Sequence, residues 1–325
     1  DGVKMPTAGT LTNRNLALNG GMTVSQRGTS HSFAHDGTTT GYSLDRMSFV
    51  TANLDSLDCT ITQSTDAPAG FSNSLKFTTG TPEAAIDAND IVYIQTLIEA
   101  QDLQHLQYGT SSAQTLTLSF YVKSSVTGTY GCTFYQGDAG RNRTATYTIN
   151  SANTWERKEI TITGDTGGTI NNDSGAGFQF AWNLATGSDW DSTDATAWGA
   201  YVTSNWGYGH AQDGVITAAG ATWQVTGVQL EVGEKATDFE HRSYGDELAR
   251  CQRYFLKFPA NTGHYLAQST NGYTRLSMLF PTTMRAAPTV SGTGWALGST
   301  THAVVGYYTT QGNATMPEIT ASADL

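Results

Sequence analysis

The residues best suited to chemistry are aromatic side chains concentrated in one polar stretch, residues 182–210, which lacks strand alternation over much of its length. Indole and phenol rings stack on the C–H faces of pyranose sugars, and neighbouring Asp, Asn and Ser side chains can hydrogen-bond sugar hydroxyls. The stretch therefore predicts a carbohydrate-binding loop. The more frequent alternative for so long a loop is that its rings pack beneath it or in a subunit interface. The candidate sugar contacts are Trp190, Trp198, Tyr201, Trp206 and Tyr208.

The same stretch contains three closely spaced carboxylates, Asp189, Asp191 and Asp194, which alternate with Ser and Thr. Carboxylate and carbonyl oxygens are the ligands that Ca²⁺ prefers, so these residues are candidate calcium ligands. The spacing lacks the glycine and the distal glutamate of an EF-hand loop, which favours a solvated acidic loop instead. We predict no cofactor other than this possible Ca²⁺.

Catalytic patterns are missing from the sequence. It has no GxSxG motif, and its seven histidines are scattered without the context of a catalytic triad. The glutamates at 156, 159, 231 and 234 lie within or beside alternating runs, where structural or exposed roles are usual, and glycosidase chemistry needs two carboxyls facing each other. Three widely spaced cysteines, without metal-site spacing, are expected to be buried free thiols. The sequence therefore predicts a protein that is not an enzyme.

Charge and hydropathy restrict the partners. The formal net charge of -11 disfavours nucleic acid, whose phosphates need clustered Lys and Arg. No uninterrupted apolar stretch approaches the ~20 residues of a membrane span, so membrane insertion is not expected. Because the sequence starts with Asp1 rather than Met, we expect either that an upstream segment was removed or that the sequence is a fragment.

Short alternating runs dominate the remaining sequence. In residues 115–122, Leu116, Leu118, Phe120 and Val122 share one face, which is typical of a half-buried strand. Gly, Asn and Asp clusters between the runs are turn signals, and charged residues are only 14% of the chain. The sequence predicts an all-β fold with a large antiparallel jelly-roll sandwich. Further predicted strands are 74–78, 130–135, 144–149, 155–162, 177–184, 221–232, 274–280, 289–291 and 303–308.

One stretch breaks the strand pattern. From Tyr244 onward, acidic residues come first, basic residues follow, and Leu248, Cys251 and Phe255 recur at helical spacing. This predicts a short linker helix followed by a smaller C-terminal β-domain. The predicted organisation is an N-terminal connector at 1–14, a jelly roll at 15–243, a linker helix at 244–256 and a small β-domain at 257–325.

Several strings, in a characteristic order, resemble bacteriophage tail-fibre and related virion-appendage proteins. The most specific runs from TGVQLEVG at 226–233 through ATDFEHRSYG at 236–245 to ELARCQRYF at 247–255. The others are NLALNGGMTVSQRG at 15–28, YSLDR at 42–46, DAPAGF at 66–71, LSFYVKSS at 118–125 and, in the C-terminal part, FPTTMRAAPTV at 280–290.

This resemblance implies a carbohydrate-binding-module-like jelly roll, displayed on the virion as a homotrimer beside other tail or capsid proteins, that binds a host-surface glycan for adsorption. Its shared strings belong to the scaffold, so the resemblance assigns no binding residue. Two alternatives stay open: a purely structural capsid or tail decoration protein, and a polysaccharide depolymerase.

Overall fold

The computed structural model describes residues 13–34, 39–191, 195–207, 213–260, 266–268, 274–308 and 316–325. The chain divides into two compact units between His241 and Arg242. Both consist mainly of antiparallel strands, which confirms the predicted all-β fold. The strands of the first unit are β1 (Ser30–Phe33), β2 (Thr39–Tyr42), β3 (Ser48–Ala52), β4 (Cys59–Ser64), β5 (Ser74–Thr79), β6 (Ile91–Glu99), β7 (Leu116–Ser124), β8 (Gly128–Gln136), β9 (Arg141–Ile149), β10 (Glu156–Ile162), β11 (Ala176–Thr186), β12 (Gly199–Ala200) and β13 (Thr222–Val232).

The first unit is a jelly-roll sandwich of two antiparallel sheets. A six-stranded sheet has the order β1-β4-β5-β13-β7-β10, and a seven-stranded sheet has the order β12-β9-β8-β11-β6-β3-β2. Large side chains from both sheets fill the space between them, among them Trp182 and Trp223, whose ring centroids lie 5.8 Å apart. Burial of this apolar surface is the main force holding the two sheets together.

Strand β7 shows how the sequence pattern was only partly informative. Leu116, Leu118, Phe120 and Val122 point into the core as predicted. The outer face of β7 is covered at the start of the strand, however. There Thr117 is fully buried, and its Oγ1 donates to the Gly233 carbonyl at 2.8 Å. The prediction of a half-buried strand was therefore wrong for this part of β7, since a later segment of the chain covers the outer face.

The two ends of the first unit lie together against β13. The Asn15 side chain donates to the Val228 carbonyl at 3.0 Å and accepts from the Leu230 amide at 3.1 Å. The backbone amides of Asn13 and Asn15 both donate to the Glu240 carboxylate. Residues 13–15 and Glu240 are therefore held beside the six-stranded sheet, and the seven-stranded sheet lies across the sandwich from them.

The second unit begins with a helix, α2 (Tyr244–Gln252), which follows a one-turn helix α1 (Ser188–Asp191) in the first unit. Ser243 caps α2 by accepting a hydrogen bond from the Asp246 amide at 3.2 Å. The helix is shorter than the predicted 244–256, because Phe255 and Leu256 belong to a strand whose backbone pairs with a strand near the C-terminus. None of the helices in the described residues is long and apolar enough to cross a membrane.

The strands of the second unit form a three-stranded sheet, β14-β20-β17, and a four-stranded sheet, β15-β16-β19-β18. Met278 and Val304 face each other in the core of this unit, whereas their neighbours Leu279 and Val305 are 78% and 52% exposed on the opposite face. The strands are β14 (Phe255–Phe258), β15 (Leu266–Gln268), β16 (Thr274–Leu279), β17 (Thr289–Ser291), β18 (Trp295–Ser299), β19 (Ala303–Tyr308) and β20 (Ile319–Ser322).

Candidate functional site

The outer face of the seven-stranded sheet collects aromatic and amide side chains. Since side chains alternate along a strand, Phe180 and Trp182 of β11 enter the core while Gln179 and Asn183 point to the other side. The register pairs Gln179 with Tyr135 of β8 and Asn183 with Tyr93 of β6, so these side chains share the outer face. The members of this outer face in the three central strands include Tyr93, Gln95, Thr133, Tyr135, Gln179 and Asn183.

The aromatic stretch singled out in the sequence folds onto this same face. The Tyr201 amide donates to the Gly140 carbonyl at 2.9 Å, and the Asn142 side chain of β9 donates to the Asn205 carbonyl at 2.6 Å. The Thr133 hydroxyl donates to the Trp206 carbonyl. Residues 199–207 are therefore attached to β8 and β9 by hydrogen bonds, and they carry Tyr201 and Trp206 to the outer face.

Four rings meet there and form what we call the aromatic face: Tyr93, Tyr135, Tyr201 and Trp206. Trp206 is in contact with all three tyrosines, with ring-centroid distances of 5.2 Å to Tyr93, 6.0 Å to Tyr135 and 5.9 Å to Tyr201. Tyr135 and Tyr201 pack at 5.4 Å in an edge-to-face arrangement. Trp206 is only 6% exposed, whereas the three tyrosines are half-buried and keep part of their surface in solvent.

Neutral polar groups adjoin the aromatic face. The Gln179 side chain donates to the Gln95 side-chain oxygen at 3.1 Å, and the Asn183 side chain donates to the Thr133 hydroxyl at 3.0 Å. The Trp206 Nε1 donor has no hydrogen-bond partner among the described residues. Half-buried Gln179 also retains contact with solvent. Because Gln95 and Asn183 are buried, this arrangement offers rings for stacking and the Gln179 amide for hydrogen-bonding the hydroxyl groups of a ligand.

Two phenols of the aromatic face, those of Tyr93 and Tyr201, stay protonated. Burial raises the pKa of Tyr93 well above its ordinary value, and the neighbouring Tyr201 raises it further. Burial likewise raises the pKa of Tyr201. The phenols of Tyr93 and Tyr201 therefore act as neutral hydrogen-bond donors and acceptors over the physiological pH range.

The predicted sugar contacts do not all lie together. Trp190 packs against the aromatic face, but its Nε1 donates to the Asn89 carbonyl at 2.8 Å. Trp198 lies elsewhere: its ring packs 6.0 Å from Tyr108 and 6.1 Å from Phe178 in the sandwich core, and its Nε1 donates to the Thr163 carbonyl at 2.7 Å. Tyr208 lies outside the described residues.

The carboxylates predicted as calcium ligands are only partly described. Asp189 is exposed, and Asp191 accepts a hydrogen bond from the Thr186 hydroxyl at 3.2 Å. Asp194 lies outside the described residues. Within the part of the chain that the structure describes, no three Asp, Glu, His or Cys side chains are arranged to hold a metal ion.

Sequence reasoning missed Tyr93, Gln95, Tyr135 and Gln179 as members of the candidate site. Strand β6, which carries the first two, was not predicted at all, because residues 91–99 read as an almost continuous apolar run. The signal was present: Val92, Ile94 and the other core positions of β6 alternate with Tyr93 and Gln95. Only the sheet register shows that these positions lie beside β8 and β11.

No family model and no curated protein matches this sequence. Among solved structures, it is similar to the enzymatically active domain of bacteriophage CBA120 tailspike protein 4, with 11% identity over 68% of this chain and 22% of that one, at a TM-score of 0.34. The match thus spans less than a quarter of the tailspike chain.

The present chain is also similar to two carbohydrate-binding modules. One is TmCBM61 in complex with β-1,4-galactotriose, with 9% identity, 68% of this chain, 100% of that one and a TM-score of 0.30. The other is the CBM22-2 xylan-binding domain of Paenibacillus barcinonensis Xyn10C, with 13% identity, 67% of this chain, 98% of that one and a TM-score of 0.30. Structural similarity at such low TM-scores does not indicate function, so the function of this chain is inferred from the residues of the aromatic face.

Proposed function

We propose that the first unit is a non-enzymatic glycan-binding module whose site is the outer face of the seven-stranded sheet. The observation that carries this proposal is the meeting of Tyr93, Tyr135, Tyr201 and Trp206 beside the paired amides of Gln95 and Gln179. The half-buried rings of Tyr93, Tyr135 and Tyr201 are held by packing and lose little conformational entropy on stacking against a sugar, and the half-buried Gln179 amide can bond sugar hydroxyls.

The biological setting is proposed from the sequence resemblance. We infer a phage virion appendage of the tail-fibre type, assembled as a homotrimer with other virion proteins and adsorbing to a host-surface glycan, so that several weak sites act together. Leu279 and Val305, exposed on one sheet face of the second unit, support contact with another copy. Sedimentation of the full chain as a monomer at micromolar concentration would remove the trimer from this proposal.

The experiment is a comparison of two tyrosine substitutions in the full chain. Tyr135→Ala removes a ring from the aromatic face, whereas Tyr121→Ala removes a half-buried tyrosine from the outer face of the six-stranded sheet, where it packs 5.5 Å from Phe71. Wild type and both variants are screened on an array of bacterial surface glycans, and binders are titrated by calorimetry.

We expect Tyr135→Ala to weaken glycan binding by about 10-fold or more and Tyr121→Ala to leave it unchanged. Equal loss in both variants, or no glycan bound by the wild type, contradicts the proposal and favours the purely structural decoration protein. Release of reducing ends from a bound polysaccharide would instead favour the depolymerase.

A further inference from the structure

The two sheets of the first unit differ sharply in charge. The described strands of the seven-stranded sheet contain only three charged residues, Glu99, Arg141 and Arg143. The strands of the six-stranded sheet, which has one strand fewer, contain seven: Lys76, Lys123, Glu156, Arg157, Lys158, Glu159 and Glu231. The uncharged character therefore belongs to the sheet that carries the aromatic face and not to the unit as a whole.

The three charges of the seven-stranded sheet are engaged in other interactions. Arg141 forms an ion pair with the buried Asp165 at 2.6 Å. Arg143 donates to the Thr163 hydroxyl at 3.0 Å and the Thr196 carbonyl at 2.8 Å. Both arginines belong to the core-facing set of β9, since Arg143 is paired with Phe134 in the register.

Glu99, the third charged residue, is inaccessible to a ligand. Its side chain is fully buried at the end of β6 and accepts a hydrogen bond from Gln101 at 2.6 Å. The outward positions of the central strands β6, β8 and β11 that remain accessible carry phenols, amides and aliphatic groups. No described cation of these strands is therefore placed to receive an anionic group of a ligand.

The net negative charge of the chain also disfavours anionic ligands. A formal charge of -11 repels polyanions at long range, and the exposed carboxylate of Asp189 lies in helix α1, which precedes residues 199–207. A uronate, sialate or phosphate group brought onto the aromatic face would lose part of its hydration without gaining a cationic partner from the described strands of the seven-stranded sheet, which is unfavourable.

From this distribution we infer that the ligand class of the aromatic face is uncharged glycans, recognised through stacking and neutral hydrogen bonds, and that acidic polysaccharides are rejected. This inference rests on the proposed function and deepens it, because it names the chemical class of the glycan. It also predicts that binding depends little on salt, since no ion pair has to form.

The test compares neutral with acidic polysaccharides using the full wild-type chain. The neutral probes are galactan, xylan, mannan and dextran, and the acidic probes are polygalacturonate, alginate and polysialic acid. Each acidic probe is also prepared in carboxyl-reduced form, which keeps the backbone and removes the charge. Affinities are measured by electrophoresis in polysaccharide-containing gels and by calorimetry, at about 20 mM and about 500 mM NaCl.

We expect every binder to be neutral or carboxyl-reduced, with a Kd that changes by less than about twofold between the two salt concentrations. Binding to an acidic probe that is lost on carboxyl reduction would overturn the inference while leaving glycan binding intact. Failure to bind any probe and any bacterial glycan of the array would overturn the proposed function and this inference with it. Gln179→Lys serves as a matched variant: a gain of at least about tenfold for an acidic probe would show that the missing cation is what excludes it.

Discussion

Tyr201 and Trp198 were both sugar-contact candidates in the sequence, but the structure gives them different environments, so their alanine variants should behave differently. Tyr201 is half-buried, and its ring packs against Tyr135 and Trp206 of the aromatic face. Losing two aromatic pairs should cost about 1–2 kcal/mol of folding free energy. If Tyr201 stacks on the glycan, Tyr201→Ala should also cost about 2 kcal/mol of binding free energy, or about 30-fold in Kd.

Trp198 supports the sandwich core. Trp198→Ala removes its packing against Tyr108 and Phe178 and leaves the Thr163 carbonyl without its indole donor. Truncation of a fully buried Trp costs about 3–5 kcal/mol, and half-burial reduces this to roughly 2–4 kcal/mol. For a unit of this size, the Tm should fall by roughly 5–15 °C. Glycan affinity, measured well below that Tm, should change by less than about twofold.

The assay measures both properties on the same samples. Differential scanning calorimetry gives the stability of wild type, Tyr201→Ala and Trp198→Ala, and isothermal titration at about 15 °C with a bound glycan gives the affinity. The reasoning is refuted if folded Trp198→Ala loses binding while Tyr201→Ala binds like the wild type. That result would move the site from the aromatic face to the surface around Trp198.

Two further predictions concern stability. Partial burial opposes ionisation of Glu156, but hydrogen bonds from Lys158 and from residues 150–151 outweigh it and lower its pKa from 4.5 to about 2. Because the folded-state pKa is depressed, the stabilisation is complete above pH 4.5 and lost as the pH falls towards about 2, so thermal melts of wild type and Glu156→Gln should differ at pH 7 and converge near pH 2. Asp165→Ala should destabilise the first unit by about 3–5 kcal/mol in urea unfolding, because it leaves Arg141 without its buried partner; a loss below about 1 kcal/mol would show that water replaces the carboxylate.

The strings that carry the sequence resemblance turn out to hold the scaffold together. The Asn19 side chain, in the string 15–28, donates to the carbonyl of Asp45 in the string 42–46 at 2.8 Å. Gln26 donates through its backbone to the Asp45 carboxylate at 2.7 Å. The Asn15 side chain, at the start of the string 15–28, donates to the carbonyl of Val228 in the string 226–233. Buried polar groups of this kind tolerate few replacements, because each has to keep its partner.

The sequence by itself determined the all-β class, ten of the twenty strands in the described residues and the aromatic composition of residues 182–210, because alternation, turn residues and side-chain type are local properties. The tertiary structure alone decided which rings act together. Trp198 and Trp206 are eight positions apart, yet one packs half-buried against the sandwich core and the other joins Tyr93 from a strand more than a hundred residues earlier. Long-range strand register has no local signature, since it depends on which distant strands bury their apolar faces against each other.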